Sequence, residues 1–259
     1  GQRLGTCYLE SGASMRASKV VYDRAASSIA EIKPGDIDWE KVFEGKDWFH
    51  FTGITPAISK SAAAACEEAA AIAKQLGLTV SADMNYRKNL WTAEEAQATM
   101  IPMMRHVDIS IGNEEDAEKC LGVAAEGVDV TTGEINPDAY KPVVQELVDR
   151  FDFKKVGITL RESQSADDND WSAIYYDGDE ILLGKKYPVR IVDRVGGGDS
   201  FCAAMIYGQN QHQWNSRQVL DFAVAASAMS HTFHGDFNLV SVKEVMAVAG
   251  GDTSGRVQR

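Results

Sequence analysis

Short apolar runs alternate with longer segments of helical spacing through the middle of the chain. Trp48-Phe49-His50-Phe51 reads as a strand ending at Thr52-Gly53, and residues 58–76 follow as an alanine-rich helix stopped by Gly77. Leu78–Ala82 is strand-like up to Asp83, residues 93–105 are helical, and Val107–Ile111 is strand-like up to Gly112-Asn113. Helical segments at 114–121 and 137–150 lead to a strand at Lys155–Leu160. Strands that alternate with helices predict a parallel sheet covered on both faces. The rhythm then changes. Residues 172–176 and 180–183 flank Asp177-Gly178-Asp179, a hairpin turn, and Val189–Val192 leads into three glycines. Helices at about 199–209, 215–232 and 241–249 follow. Ahead of the alternating part, residues 4–10 and 19–24 read as two strands around Ser11-Gly12-Ala13-Ser14. Such a hairpin needs a surface to pack on. A helix is expected at 25–31, broken by Pro34-Gly35.

Composition narrows the class. The chain has 259 residues, 44% of them hydrophobic, enough for one large core. No run approaches the ~20 apolar residues of a membrane span, and Ser61–Cys66 runs straight into Glu67-Glu68. A net charge of -12 makes nucleic acid a poor partner, although a small anion needs no more than a few well-placed arginines. The four cysteines at 7, 66, 120 and 202 form no metal-ligand spacing and point to a reducing, cytoplasmic setting.

The chemistry concentrates at Gly196-Gly197-Gly198. A strand, a glycine turn and a helix start together make an anion cradle, because the first helical amides have no internal partners. Asp199 stands at or beside that helix start, and Asp193 opens the loop. The spacing is neither GxxxxGK[ST] nor GxGxxG. A tight turn with an aspartate cap is the bland alternative.

Asp193-Arg194-Val195-Gly196-Gly197-Gly198-Asp199-Ser200-Phe201 resembles the second signature of the PfkB carbohydrate kinases, usually Asp-Thr-x-Gly-Ala-Gly-Asp-x-Phe. Arg194 replaces Thr, and Gly197 replaces Ala. The Arg-Val variant is typical of 2-keto-3-deoxygluconate kinases. The resemblance implies a ribokinase-like three-layer α/β/α fold with a mostly parallel sheet and a small β-lid. It also implies Asp199 as general base and the amides of Gly196–Asp199 as stabilisers of the transferring phosphoryl group.

Asp83-Met84-Asn85-Tyr86-Arg87 follows a strand, at the carboxyl edge where open α/β sheets bind ligands. An Asp83–Arg87 surface ion pair would be the ordinary reading. The resemblance instead implies that Arg87 meets a substrate carboxylate, a bidentate task suited to guanidinium, and that Asn85 lies toward the nucleotide. It further implies substrate contacts for Tyr8, Tyr22 and Arg24 on the lid, for Ile54 in the loop after residues 48–51, and for Asp236. The alternative for Tyr8, Tyr22 and Arg24 is a half-buried strand face, where tyrosines are common.

On the nucleotide side, Asn113-Glu114-Glu115-Asp116 resembles the family's Asn-x-x-Glu motif, which acts on Mg²⁺ and phosphates through water. Here Asp116 holds the fourth place, so either Asp116 or Glu115 could serve. Thr159 and Arg161 occupy the place of the family's Thr-x-Gly segment, without its glycine. With Asn85, Asn113 and Asp193 they form the expected ATP-binding set. His231 and His234 read as helix-end histidines rather than a zinc pair.

The expected organisation is residues 1–24 as part of the β-lid and 25–259 as the main kinase domain. The family's first core strand and first Gly-Gly signature have no counterpart in the sequence, so a preceding section of the parent protein is expected. The expected function is ATP- and Mg²⁺-dependent phosphorylation of 2-keto-3-deoxygluconate, with the lid as a possible homodimer surface. A kinase of fructose, ribose or a nucleoside is the near alternative. A non-catalytic sugar- or nucleotide-binding regulator is the distant one.

Overall fold

The computed structural model describes residues 2–113, 115–124 and 137–255. Its contacts group the chain into two units, one of Gly1–Glu10, Ser18–Val130 and Asn136–Ile158, the other of Ser11–Ala17, Thr131–Ile135 and Thr159–Arg259.

In the first unit, β1 (Thr6–Glu10) and β2 (Lys19–Asp23) form an antiparallel ribbon in which Cys7 opposes Tyr22 and Tyr8 opposes Val21. The Arg3 guanidinium forks onto both carboxylate oxygens of Asp23 at 2.8 and 2.6 Å. The helix expected at 25–31 is absent. Serine hydroxyls offer the backbone other partners there: Ser27 Oγ donates to the Arg24 carbonyl at 2.7 Å and Ser28 Oγ to that of Arg3 at 3.0 Å. A short helix forms later instead, α1 (Trp39–Phe43), capped by Asp38.

Three strands then run parallel in the order β3 (Trp48–Thr52), β4 (Thr79–Asp83) and β5 (Ile109–Asn113). The helix expected at 58–76 is two helices, α2 (Ile54–Ile58) and α3 (Lys60–Gln75). Ser59 divides them: its backbone is extended, its Oγ accepts from Ala62 N, and its hydroxyl donates to the Ala30 carbonyl at 2.7 Å. One face of α3 buries Ala62, Ala65, Cys66, Ala69, Ala70 and Ala73, the spacing of an amphipathic helix with small side chains toward the core. Between β4 and β5 lies α4 (Ala93–Met103), opened by a Thr92/Glu95 capping box. After β5 come α5 (Asp116–Leu121) and α6 (Lys141–Phe151).

Asp108 pins the start of β5. It accepts from Val80 N at 3.1 Å and pairs with the ammonium groups of Lys74 and Lys154. Burial pushes its pKa up, but the two lysines and the amide outweigh that and leave it lowered.

The strand β6 (Lys155–Ser163) carries the chain onward into the second unit. There β7 (Asp168–Tyr176) pairs antiparallel with β8 (Ile181–Leu183) and with β9 (Tyr187–Arg190). The first of these pairs is the hairpin expected at Asp177-Gly178-Asp179, where Asp177 Oδ1 accepts from the amides of residues 179 and 180. The strand expected at 189–192 starts and ends two residues earlier. Three helices follow, α7 (Gly197–Gln209), α8 (Ser216–Ser230) and α9 (Val242–Ala249). The middle one is buried along most of its length, from Val219 to Ser230, which marks a helix sunk in the core. The class is α/β, with helices flanking mostly parallel strands. No helix of the described residues is long and apolar enough to cross a membrane.

Candidate active site

In the second unit the glycine loop is held from several sides. Val192 N and Asp193 N both donate to the His231 carbonyl, at 2.8 and 3.3 Å. Asp193 turns the loop by accepting from Val195 N at 3.2 Å, and ties it to another segment by accepting from Gly235 N at 3.1 Å. Arg194 is half-buried and spends its guanidinium on the carbonyls of Ala166, at 2.7 Å, and Ser165, at 3.2 Å. Burial first, then neighbouring Arg161, lowers its pKa, against the pull of Asp167.

Two of the three glycines are required by close contacts, and the third leaves space open. Gly196 is the N-cap of α7 with φ 80°, and a Cβ there would stand 2.5 Å from the Asp236 carbonyl. Gly197 is buried, and a Cβ there would meet the His231 ring at 2.5 Å. A Cβ on Gly198 would project into open space, with nothing within 4 Å. No side chain caps α7, so the amides at its N-terminus keep their donor capacity for an anion. Asp199 is exposed in the first turn, two residues inside the helix start rather than at the cap. Asp236 is also exposed, with its backbone against Gly196. Thr159 is buried in β6, and Arg161 is exposed two residues on.

A second group of the expected site residues, Ile54, Asn85 and Arg87, lies in the first unit beyond the ends of its parallel strands. Gly53 N donates to the Asp83 carbonyl at 2.7 Å, and a Cβ on Gly53 would fall 2.1 Å from the Met84 oxygen. That close crossing sets Ile54 at the start of α2. Asn85 is buried with φ 43°; its Nδ2 donates to Asp83 Oδ2 at 2.9 Å while its Oδ1 has no partner. Arg87 is half-buried and donates to the Tyr86 carbonyl at 2.9 Å.

Asp116 joins this turn to the next. Its two oxygens accept from Tyr86 N at 2.9 Å and Asn113 N at 2.8 Å, and it is 1% exposed. Burial pushes its pKa up to about 6, against those two amides and Arg87. Both carboxylate oxygens therefore shape the backbone, and Glu115 is the exposed carboxylate of the pair considered for Mg²⁺. Asn113 Oδ1 accepts from the amides of Glu115 and Asp116, at 2.8 and 3.2 Å. Glu114 lies outside the described residues.

The site residues expected on the β1–β2 ribbon divide. Opposed residues of an antiparallel pair share a face and neighbours along a strand do not. Tyr22 and Arg24 therefore share one face, and Tyr8 belongs to the other with Val21. The Arg24 guanidinium lies 4.1 Å over the Tyr22 ring, and its Nη1 is buried without a partner. Tyr8 is 65% exposed.

Residues 1–239 match the pfkB family of carbohydrate kinases. This chain belongs to that family. It is a carbohydrate kinase, a phosphotransferase. Among its relatives is a 2-dehydro-3-deoxygalactonokinase of Haloferax volcanii, 28% identical over 257 residues, which cover 98% of this chain and 72% of the relative. Another, the 2-dehydro-3-deoxygluconokinase of Thermoproteus tenax, is 27% identical over 85% of this chain and 59% of its own length. The crystal structure of a Thermotoga maritima 2-dehydro-3-deoxygluconokinase superposes with a TM-score of 0.91 at 48% identity, covering 97% of this chain and 74% of that one.

Sequence reading gave His231 no more than a place at a helix end and assigned no supporting role to Ser227 or Gly53. His231 and Ser227 hold the glycines from α8, and Gly53 holds the crossing of two strand ends. The sole local sign of the first two is their spacing of four along one helix face.

Proposed function

We propose that this PfkB kinase transfers the γ-phosphoryl group of ATP to the primary hydroxyl of 2-keto-3-deoxygluconate. The observation that carries the reading is the uncapped N-terminus of α7, open at Gly198, with the Asp199 carboxylate exposed in its first turn. Asp199 accepts the hydroxyl proton as the sugar oxygen attacks. The amides at the start of α7 receive the charge that builds on the phosphoryl oxygens.

The donor set suits a nucleotide with Mg²⁺. Glu115 is an exposed carboxylate beside Asn113, and Asn85 keeps an unpartnered oxygen. The metal, when bound, supplies charge neutralisation on the phosphates.

An acidic sugar is favoured by two half-buried arginines. Arg87 stands beyond β4, and Arg24 has a buried nitrogen with hydrogen-bonding capacity to spare. The relatives named for dehydro-deoxy sugar acids agree with this choice. Tyr22 carries the Arg24 guanidinium on its ring face, a cation–π contact that sets its direction.

The test is turnover of the purified protein with ATP and Mg²⁺ on 2-keto-3-deoxygluconate, fructose and ribose. The acid should be preferred, and Arg87→Ala should raise its KM by about 10-fold or more, as loss of a charged hydrogen bond does. A preference for fructose or ribose that survives Arg87→Ala would rule out the acid-sugar assignment. Unchanged turnover in Asp199→Asn would remove the general base.

A further inference from the structure

We propose that His231 is a positioning residue for phosphoryl transfer, fixing the glycine loop at both of its ends. The proposal rests on reading that loop as the phosphoryl cradle. At the near end the His231 carbonyl accepts from Val192 N and Asp193 N, at 2.8 and 3.3 Å. At the far end its ring fills the space beneath Gly197, so closely that an added methyl would overlap Cε1 at 2.5 Å and Nε2 at 2.6 Å. The ring cannot yield. Nδ1 is 2.7 Å from the Ser227 carbonyl, Trp171 packs against it with ring centroids 4.7 Å apart, and the residue is 4% exposed. Ser227 completes the arrangement, because its Oγ donates to the Gly197 carbonyl at 2.7 Å. The last turn of α8 and its C-cap thus set the height of the amides that begin α7.

The charge state suits this role. Burial lowers the His231 pKa. Arg194 and Arg161 lower it further, against the Ser227 carbonyl and Asp193, which raise it. A neutral ring donates from Nδ1 to the Ser227 carbonyl and brings no cation into the floor of an anion site.

A loop displaced by a fraction of an ångström keeps its ligands but loses rate, because near-attack geometry decides the chemical step. His231→Ala should therefore lower kcat by about 10²-fold, with the sugar KM within about two-fold of the parent, at a temperature well below the melting point of both proteins. A merely structural histidine would lower the melting temperature and leave kcat per folded molecule unchanged, and that result would overturn the proposal.

Gly197→Ala supplies the second arm. In the parent its methyl strikes the ring and kcat should collapse. In the His231→Ala background the methyl enters vacated space, so the double variant should be about 10-fold more active than the product of the two single effects. Simple additivity would refute the contact as the means of positioning. His231→Phe, which keeps a ring but loses the Nδ1 donor, covers the case in which His231→Ala does not fold: it should retain more activity than any folded alanine variant, and parent-like activity would reduce the role to volume and overturn the hydrogen-bonded part. Asp199→Asn, assayed alongside, separates the two readings. Full activity there sinks the cradle itself, whereas coupling between 197 and 231 is read independently of it.

Discussion

Gly196 and Gly198 differ by two positions, and their alanine variants should move stability and activity in different combinations. At Gly196 the backbone has φ 80°, and a methyl would lie 2.5 Å from the Asp236 carbonyl oxygen. The left-handed conformation costs an alanine about 1–2 kcal/mol. Overlap with a backbone atom adds about 1–3 kcal/mol. Gly196→Ala should thus lose roughly 2–5 kcal/mol, a fall of roughly 5–15 °C in melting temperature for a chain of this size. At Gly198 the methyl meets nothing within 4 Å, and the residue lies inside the first turn of α7. Relieving glycine of its unfolded-state freedom stabilises by about 0.4–1 kcal/mol, so Gly198→Ala should melt roughly 1–3 °C higher. Yet its methyl would enter the open space beside the start of α7. If that space receives the phosphoryl group, kcat/KM should fall by about 10² or more. Scanning calorimetry and coupled turnover on the same preparations read both effects. A Gly198→Ala protein that is more stable and fully active would refute the placing of the phosphoryl group there.

Gly53→Ala puts a methyl 2.1 Å from the Met84 oxygen, with backbone on both sides, and should cost about 3 kcal/mol in urea unfolding; parent-like stability would show that the strand ends separate freely. Asp108 has a lowered folded-state pKa, so its contribution is present above about pH 4 and is lost as pH falls through the folded value. Asp108→Asn should flatten the stability–pH curve below pH 4, and an unchanged acid limb would remove the lysine pair from the account. Asp116 has the opposite sign. Its pKa of about 6 means its contribution is full below about pH 4 and is lost as pH rises through 6, so Asp116→Asn should cost more at pH 4.5 than at pH 8, by at most roughly 3 kcal/mol.

The alternation of strands and helices was readable because each element carried its own period. The misreadings have local physical causes. Residues 25–31 have helical composition, but Ser27 and Ser28 bond back to carbonyls and leave Ala26 at φ 53°. Residues 58–76 look continuous because alanine runs across them, while Ser59 turns extended to bond the Ala30 carbonyl and cap α3. In both cases a side-chain oxygen found a better partner than helix propagation offered. The tyrosines of the β1–β2 ribbon show a different limit of sequence. Tyr8 and Tyr22 look equivalent in sequence, yet a hairpin's register decides its faces, and the pairing of Cys7 with Tyr22 puts Tyr8 on the other side.

The glycine loop shows where a motif stops being self-explanatory. Its resemblance to the PfkB signature implied phosphoryl transfer, while the glycine spacing alone marked no more than a turn or an anion cradle. It did not reveal why Arg194 is an arginine. The resemblance linked that residue to an acidic substrate, but its guanidinium is committed to the Ser165 and Ala166 carbonyls. An arginine there buttresses the loop through the turn between β6 and β7, and a threonine lacks the reach to do so. Under the acid-sugar proposal that preference falls instead to Arg87 and Arg24, whose guanidiniums are not spent on the loop. The motif variant and the substrate are linked only if the same loop position that Arg194 enforces also suits an acid sugar. Arg194→Thr tests that link: it should lower kcat for every sugar to a similar degree, leaving the ratio of acid to neutral sugar unchanged, and a shift in that ratio would return Arg194 to substrate recognition.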